Sequence, residues 1–290
     1  GNVAVGYNAM GTGTGSNGAN VAVGKDSLAV NTAGNNTAVG TQALTSNTTG
    51  ADNVAVGLYA LGNNTTASLN TAVGRSSLHA NTTGTNNTAV GYQSLYTNTT
   101  ASYNTAVGFY ALGSNTTGFQ NTAVGYQAAR AATTATDATA IGFEALYSLT
   151  TGLYNTGVGW QNSYKITTGT QNTAVGRGAL HENVSSDYNT AVGMDALYNA
   201  TGGNNTALGR NAGNSLTTGT YNLFAGVNIT PSSGSVIGEI VLNASGGSTG
   251  KGSATGFINA NGGGVYQGNN ASTWSTVSDE RLKKNIVDNN

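Results

Sequence analysis

The chain has 290 residues, among them 44 glycines, one proline and no cysteine, with 7% charged residues and a formal net charge of −1. Near-neutrality gives no electrostatic footprint for nucleic acid or an anionic membrane, and the lack of cysteine excludes disulfides and thiolate metal sites. Charge far below the roughly 25% of an average soluble domain, with Asn and Thr in its place, argues against an ordinary globule.

Low charge and abundant glycine can also mark disorder, but here Val, Ala and Leu return at fixed places, so the bias is architectural. No apolar run approaches the roughly 20 residues that span a bilayer, and no membrane insertion is expected. Gly1 begins inside a repeat, so no signal peptide is expected at this end and the chain reads as part of something longer.

Residues 1–226 are occupied by one repeat. The motif Asn-(Thr/Val)-Ala-Val-Gly closes at Gly6, Gly24 and Gly40, and then at every seventeenth residue to Gly193, with further copies ending at Gly209 and Gly226. A typical unit is Asn87-Thr88-Ala89-Val90-Gly91-Tyr92-Gln93-Ser94-Leu95, followed by Tyr96-Thr97-Asn98-Thr99-Thr100. The β-branched residues at positions two and four point to one face of an extended segment and the intervening Ala to the other. The glycine ends the strand. An Ala-Leu step supplies an inward anchor, and Asn-Thr-Thr-Gly makes an outer turn whose side chains bond their own backbone.

A unit of this length is too short for a helical hairpin of about 34 residues. It suits one coil of a β-solenoid with strands about 4.8 Å apart. The expected fold is therefore all-β: a parallel β-solenoid, or β-roll, of about fourteen 17-residue coils. Each coil offers one Val, one Leu and two Ala for burial, little against the entropy of ordering the backbone. Other chains are expected to cover part of the strands, giving a homotrimeric rod.

In residues 227–277 the register is expected to fail. Residues 236–242 read as a strand, and Gly- and Ser-rich stretches follow at 244–256 and 261–269. This is the pattern of a β-rich, intertwined trimeric neck in which Tyr266 and Trp274 pack.

The Asn-Thr-Ala-Val-Gly coil resembles the left-handed β-roll heads of trimeric autotransporter adhesins, which use a similar Asn-Ser-Val-Ala-Ile-Gly-type coil. Residues 278–290 open with Ser278-Asp279-Glu280-Arg281-Leu282-Lys283-Lys284-Asn285-Ile286. This stretch resembles the start of the C-terminal intramolecular chaperone of phage tail fibres and endosialidase tailspikes. That resemblance implies a chaperone that trimerises the fibre and then releases itself at the Ser278–Asp279 bond. Ser278 would act as nucleophile and Lys283 as base, a role open to a lysine of lowered pKa. It further implies a virion tail fibre, extracellular when mature, whose partners are two further copies, other tail proteins and a host-surface glycan or protein.

The residue after the strand glycine is aromatic in five consecutive coils: Tyr92, Phe109, Tyr126, Phe143 and Trp160. Stacked along a solenoid they form one ladder, either a sugar-stacking strip or a structural seam. Lys25, Arg75, Arg177 and Arg210 hold this position in other coils, which puts it partly at the surface. Asp187 and Asp195 stand near one another in the repeat, and no glycosidase-like acid pair is evident. His79 and His181 stand alone, without metal-ligand spacing; they read as outer-loop residues, and no metal or cofactor is expected. The glycines make no phosphate loop, and Asn-x-Thr triplets follow from composition.

The leading expectation is a structural fibre segment for host attachment, with a bacterial trimeric adhesin head as the alternative. An ice-binding solenoid would need a flat Thr-x-Thr face, whereas Thr here alternates with Val on the strand. A depolymerase tailspike is the enzymatic option, and apart from autoproteolysis no catalytic activity is expected.

Overall fold

A computed structural model gives the fold over residues 1–12, 18–244, 246–260, 263–268 and 275–276. Among these residues there is no helix. The chain is an all-β, parallel β-solenoid of about fifteen turns, and it divides into two compact units, Gly1–Gln171 and Asn172–Asn290.

The first unit stacks ten three-residue strands, β1 (Val3–Val5) to β10 (Thr156–Val158). Each pairs in parallel with the strand one coil away, like upon like: Thr71 with Thr88, Ala72 with Ala89, Val73 with Val90. Irregular coils near the start, where Val3 pairs with Val21 and Val21 with Thr37, are absorbed without loss of register.

The strand turns its Ala inward. Ala72, Ala89, Ala106 and Ala123 are fully buried, while Val107, Val124 and Ile141 remain 36–39% exposed. This corrects the expectation that each coil buries its Val. The coil interior is about one Ala plus one Leu wide. Where Asn162 occupies a position held elsewhere by Ala or Ser, the facing strand residue is Gly157, and a Cβ there would stand 2.1 Å from Asn162 Oδ1. A strand turned over to bury Val would overfill the coils anchored by Leu.

The opposite wall is anchored by Leu61, Leu78, Leu95 and Leu112, all fully buried with φ between 49° and 51°. That left-handed backbone explains why the anchor is Leu in most coils and Val or Ile in none, since a β-branched residue is strongly disfavoured there. Leu149 is equally buried but has a negative φ, and the next coil places Ile166 in the same column. Leu112→Ile is therefore expected to cost about 2–4 kcal/mol. Leu149→Ile should cost less than about 1.5 kcal/mol. Equal losses in urea titrations of the two variants would refute the backbone argument.

The interior is also polar. Asn47, Asn64, Asn81, Asn98 and Asn115 are fully buried, which corrects their assignment to an outer turn. Each Nδ2 donates to the Oδ1 one coil back, as from Asn98 to Asn81 (2.9 Å) and Asn115 to Asn98 (2.8 Å). A second buried ladder runs through Asn53, Asn70, Asn87, Asn104 and Asn121, whose Oδ1 atoms accept the backbone N–H one coil on. Both ladders donate to the same turn carbonyls: Ala101 O accepts from Asn87 at 2.8 Å and from Asn98 at 3.0 Å. The turn backbone faces inward and needs partners, which the Asn columns supply. Thr99 and Thr100 then face outward.

The second unit repeats the design in β11 (Thr173–Val175) through β14 (Leu223–Ala225). Here Phe224 sits where other coils place Ala, and Gly213 where they place the Leu anchor; a Cβ on Gly213 would lie 2.6 Å from the Phe224 ring. Large and small have changed walls at constant volume. Parallel pairing does not end at Gly226. Leu223 pairs with Ile240 of β15 (Ile240–Asn243), and Ile240 with Gly256 of β16 (Gly256–Ala260). The expected loss of register reflected a changed motif, not a changed path. The strand predicted at 236–242 is shorter and displaced. Antiparallel pairing begins with β17 (Gly263–Gln267) and β18 (Ser275–Thr276). Tyr266 packs against the core of this unit; Trp274 lies outside the described residues.

Candidate functional site

The aromatic ladder forms on the outer surface of the first unit. Ring centroids are 5.2 Å apart from Tyr92 to Phe109, 5.3 Å to Tyr126, 5.1 Å to Phe143 and 6.3 Å to Trp160, with interplanar angles of 6–12°. The strand spacing sets this separation, because each ring leaves the backbone directly after a stacked glycine. The Arg75 guanidinium stands 5.9 Å from the Tyr92 ring, a cation–π contact at that end.

The rings lie face to face, so Phe109, Tyr126 and Phe143 turn their edges to solvent. A sugar stacks on a ring face, and these faces are covered by neighbours. The geometry therefore favours the seam over the sugar strip. Val107, Val124 and Ile141 each stand one glycine away from a ladder ring, and together the two columns make an apolar strip that rises in step with the coils.

A second column stands nearby. His79 stacks on Tyr96 at 5.7 Å and meets the edge of Tyr59. Tyr147 stacks on Tyr164 at 5.1 Å, and Arg130 donates to the Tyr147 hydroxyl at 2.8 Å. In the second unit His181 stacks on Tyr198 at 4.7 Å and its Nδ1 lies 2.8 Å from Glu182. Both histidines lie in turns, as expected, but they are members of stacked columns and not isolated. The Tyr110 hydroxyl titrates above its ordinary value, first through burial and then through Tyr92, against the opposing charge of Arg130. Burial and then Glu144 do the same to Tyr164.

Asp195 is ion-paired with Arg177 at 3.1 Å, and the backbone carbonyl of Asp187 accepts the Asn204 N–H. Among the described residues, no three His, Asp or Glu stand together as a metal would require. No helix among them is long and apolar enough to cross a membrane. Ser278 and Lys283 lie outside the described residues.

Two features escaped the sequence reading. Glu239 occupies the buried Asn column of the second unit, where its Oε1 and Oε2 accept the N–H groups of Gly252 (2.8 Å) and Ser232 (3.0 Å). In the first unit a shallow depression opens between Tyr103 and Phe119, floored by Ala101. Its signal was present in the repeat, because Phe119 stands in a column otherwise held largely by Ser and Thr. Compared with protein-family models, curated proteins and solved structures, the chain gives no match.

Proposed function

We propose that the chain is a structural segment of a bacteriophage tail fibre, a homotrimer that holds a host-attachment surface and matures through a C-terminal self-cleaving chaperone. The observation that carries the trimer is the apolar strip of the first unit. Val107, Val124, Ile141 and the ladder rings stay 36–47% exposed in consecutive coils. A strip with one apolar pair per coil is complemented best by another copy with the same rise. Low charge and an interior of hydrogen-bonded columns suit a mechanical role. Adhesion would then come from weak contacts repeated along three chains.

The Ser278–Asp279 motif supports the phage reading over its alternative, the head of a bacterial trimeric adhesin. Sedimentation equilibrium is expected to give three chains, with Val124→Lys shifting the protein toward monomer. A wild-type monomer would sink the proposal. Expressed together with whatever follows Asn290 in its gene, the chain should yield a product ending at Ser278 by mass spectrometry. An uncut chain leading into a membrane-anchor barrel would establish the adhesin instead.

A further inference from the structure

We propose that the depression between Tyr103 and Phe119 is a binding site for a neutral oligosaccharide. The repeat breaks its own rule there. Ser68 and Ser102, in the Phe119 column, use their hydroxyls to accept the N–H groups of Ala51 (3.0 Å) and Thr85 (2.9 Å) one coil back. At Phe119 that hydroxyl is given up for a ring left 46% exposed. A departure from the column's hydroxyl residues that leaves an aromatic ring in water marks function more than stability.

The two rings differ from those of the ladder. Tyr103 is 62% exposed, and neither it nor Phe119 stacks on another ring among the described residues, so ring faces are available to the C–H side of a pyranose. Around them stand the hydroxyls of Thr100, Thr117 and Tyr103 and the amide of Gln120. None of these side chains makes a hydrogen bond among the described residues. They are donors and acceptors in the mixture a sugar's hydroxyls require, beside an apolar floor. The lining carries no charged side chain, so an acidic sugar would find no counter-charge and the ligand is neutral.

The site is also preformed. Tyr103 and Gln120 hold φ of 63° and 59°, and their N–H groups are tied to Thr85 O (3.1 Å) and Ser102 O (3.3 Å) one coil away. Binding therefore orders little backbone. The inference rests on the first unit alone. It needs neither three chains nor a phage origin, so a monomer that binds would uphold it while sinking the fibre reading.

The test is an array of neutral, sialylated and uronic-acid-containing oligosaccharides probed with the full chain, with hits titrated calorimetrically. Binding should be confined to neutral oligosaccharides and weaken about tenfold or more in Phe119→Ser and in Tyr103→Ala. Phe119→Ser restores the residue type of its column and should melt no lower than the parent, which separates lost binding from lost folding. Absence of any neutral hit, preference for acidic sugars, or undiminished binding by Phe119→Ser would overturn the proposal. So would a change of sedimentation in either variant, which would show the rings to be covered by a second copy.

Discussion

Replacing Gly108 by alanine is expected to cost about 3–5 kcal/mol, the sum of backbone strain and overpacking. Gly108 has φ +137°, and a Cβ there would stand 2.3 Å from the carbonyl oxygen of Gly125 in the next coil. Gly125 meets Gly142 in the same way, at the same distance. The strand therefore ends in a column where backbone rests on backbone, and no side chain can yield to make room. For a chain of this size the loss corresponds to a fall in melting temperature of roughly 6–20 °C. Because each coil touches only its neighbours, unfolding should also lose cooperativity, the coils on either side of the lesion separating into two transitions. Gly113→Ala is the control. The atoms nearest its Cβ would belong to Tyr110, at 3.1 Å, and other coils carry Tyr96 and Arg130 in that column. Stability should stay within about 1 kcal/mol of the parent. Thermal unfolding followed by circular dichroism reads both, and similar melts would remove the stacked-glycine account.

Asn98→Asp is expected to be comparably damaging, about 3–5 kcal/mol at neutral pH, as for a buried charge without a partner. Asn98 donates to Asn81 Oδ1 and Ala101 O and accepts from Asn115 Nδ2. A carboxylate keeps the last contact and turns the other two into repulsions between acceptors. Burial raises the folded-state pKa of the new carboxyl above its unfolded value of about 3.9. The sign follows: the neutral acid is the form the fold tolerates. The added penalty is absent below the unfolded pKa and grows to its full size as pH rises through the folded one. Urea midpoints across pH should show the variant recovering in acid relative to the parent; a pH-independent deficit would refute the buried-charge argument. Position within the ladder also matters. Asn115 ends the run, because the next coil has Ala132, and its buried Oδ1 has no partner. Asn115→Leu should therefore cost less than Asn98→Leu, which orphans groups on both neighbours.

The period, the parallel strands, the glycine at each strand end and the face-sharing of Thr with Val were legible in the 17-residue spacing. Each is a statement about which residues share a column, and a column is a property of sequence order once the chain coils. The aromatic ladder was legible for the same reason. Spacing does not say which side of the wall a column occupies, because inside and outside alternate equally well. That was decided by closure of the coil. The interior admits Ala opposite Leu, so Val went outside. The turn carbonyls and N–H groups pointed inward, so Asn went inside. The exchange of Leu for Gly213 opposite Phe224, and of Ala for Gly157 opposite Asn162, joins positions on opposite walls that no periodicity links. Continuation beyond Gly226 depended on backbone hydrogen bonds, which survive a change of motif. Whether ring faces are covered, as at Tyr126, or open, as at Tyr103, depended on what the next coil places above them. Sequence order determined the columns; distances across the coil decided what each column does, because packing and hydrogen bonding act through space and not along the chain.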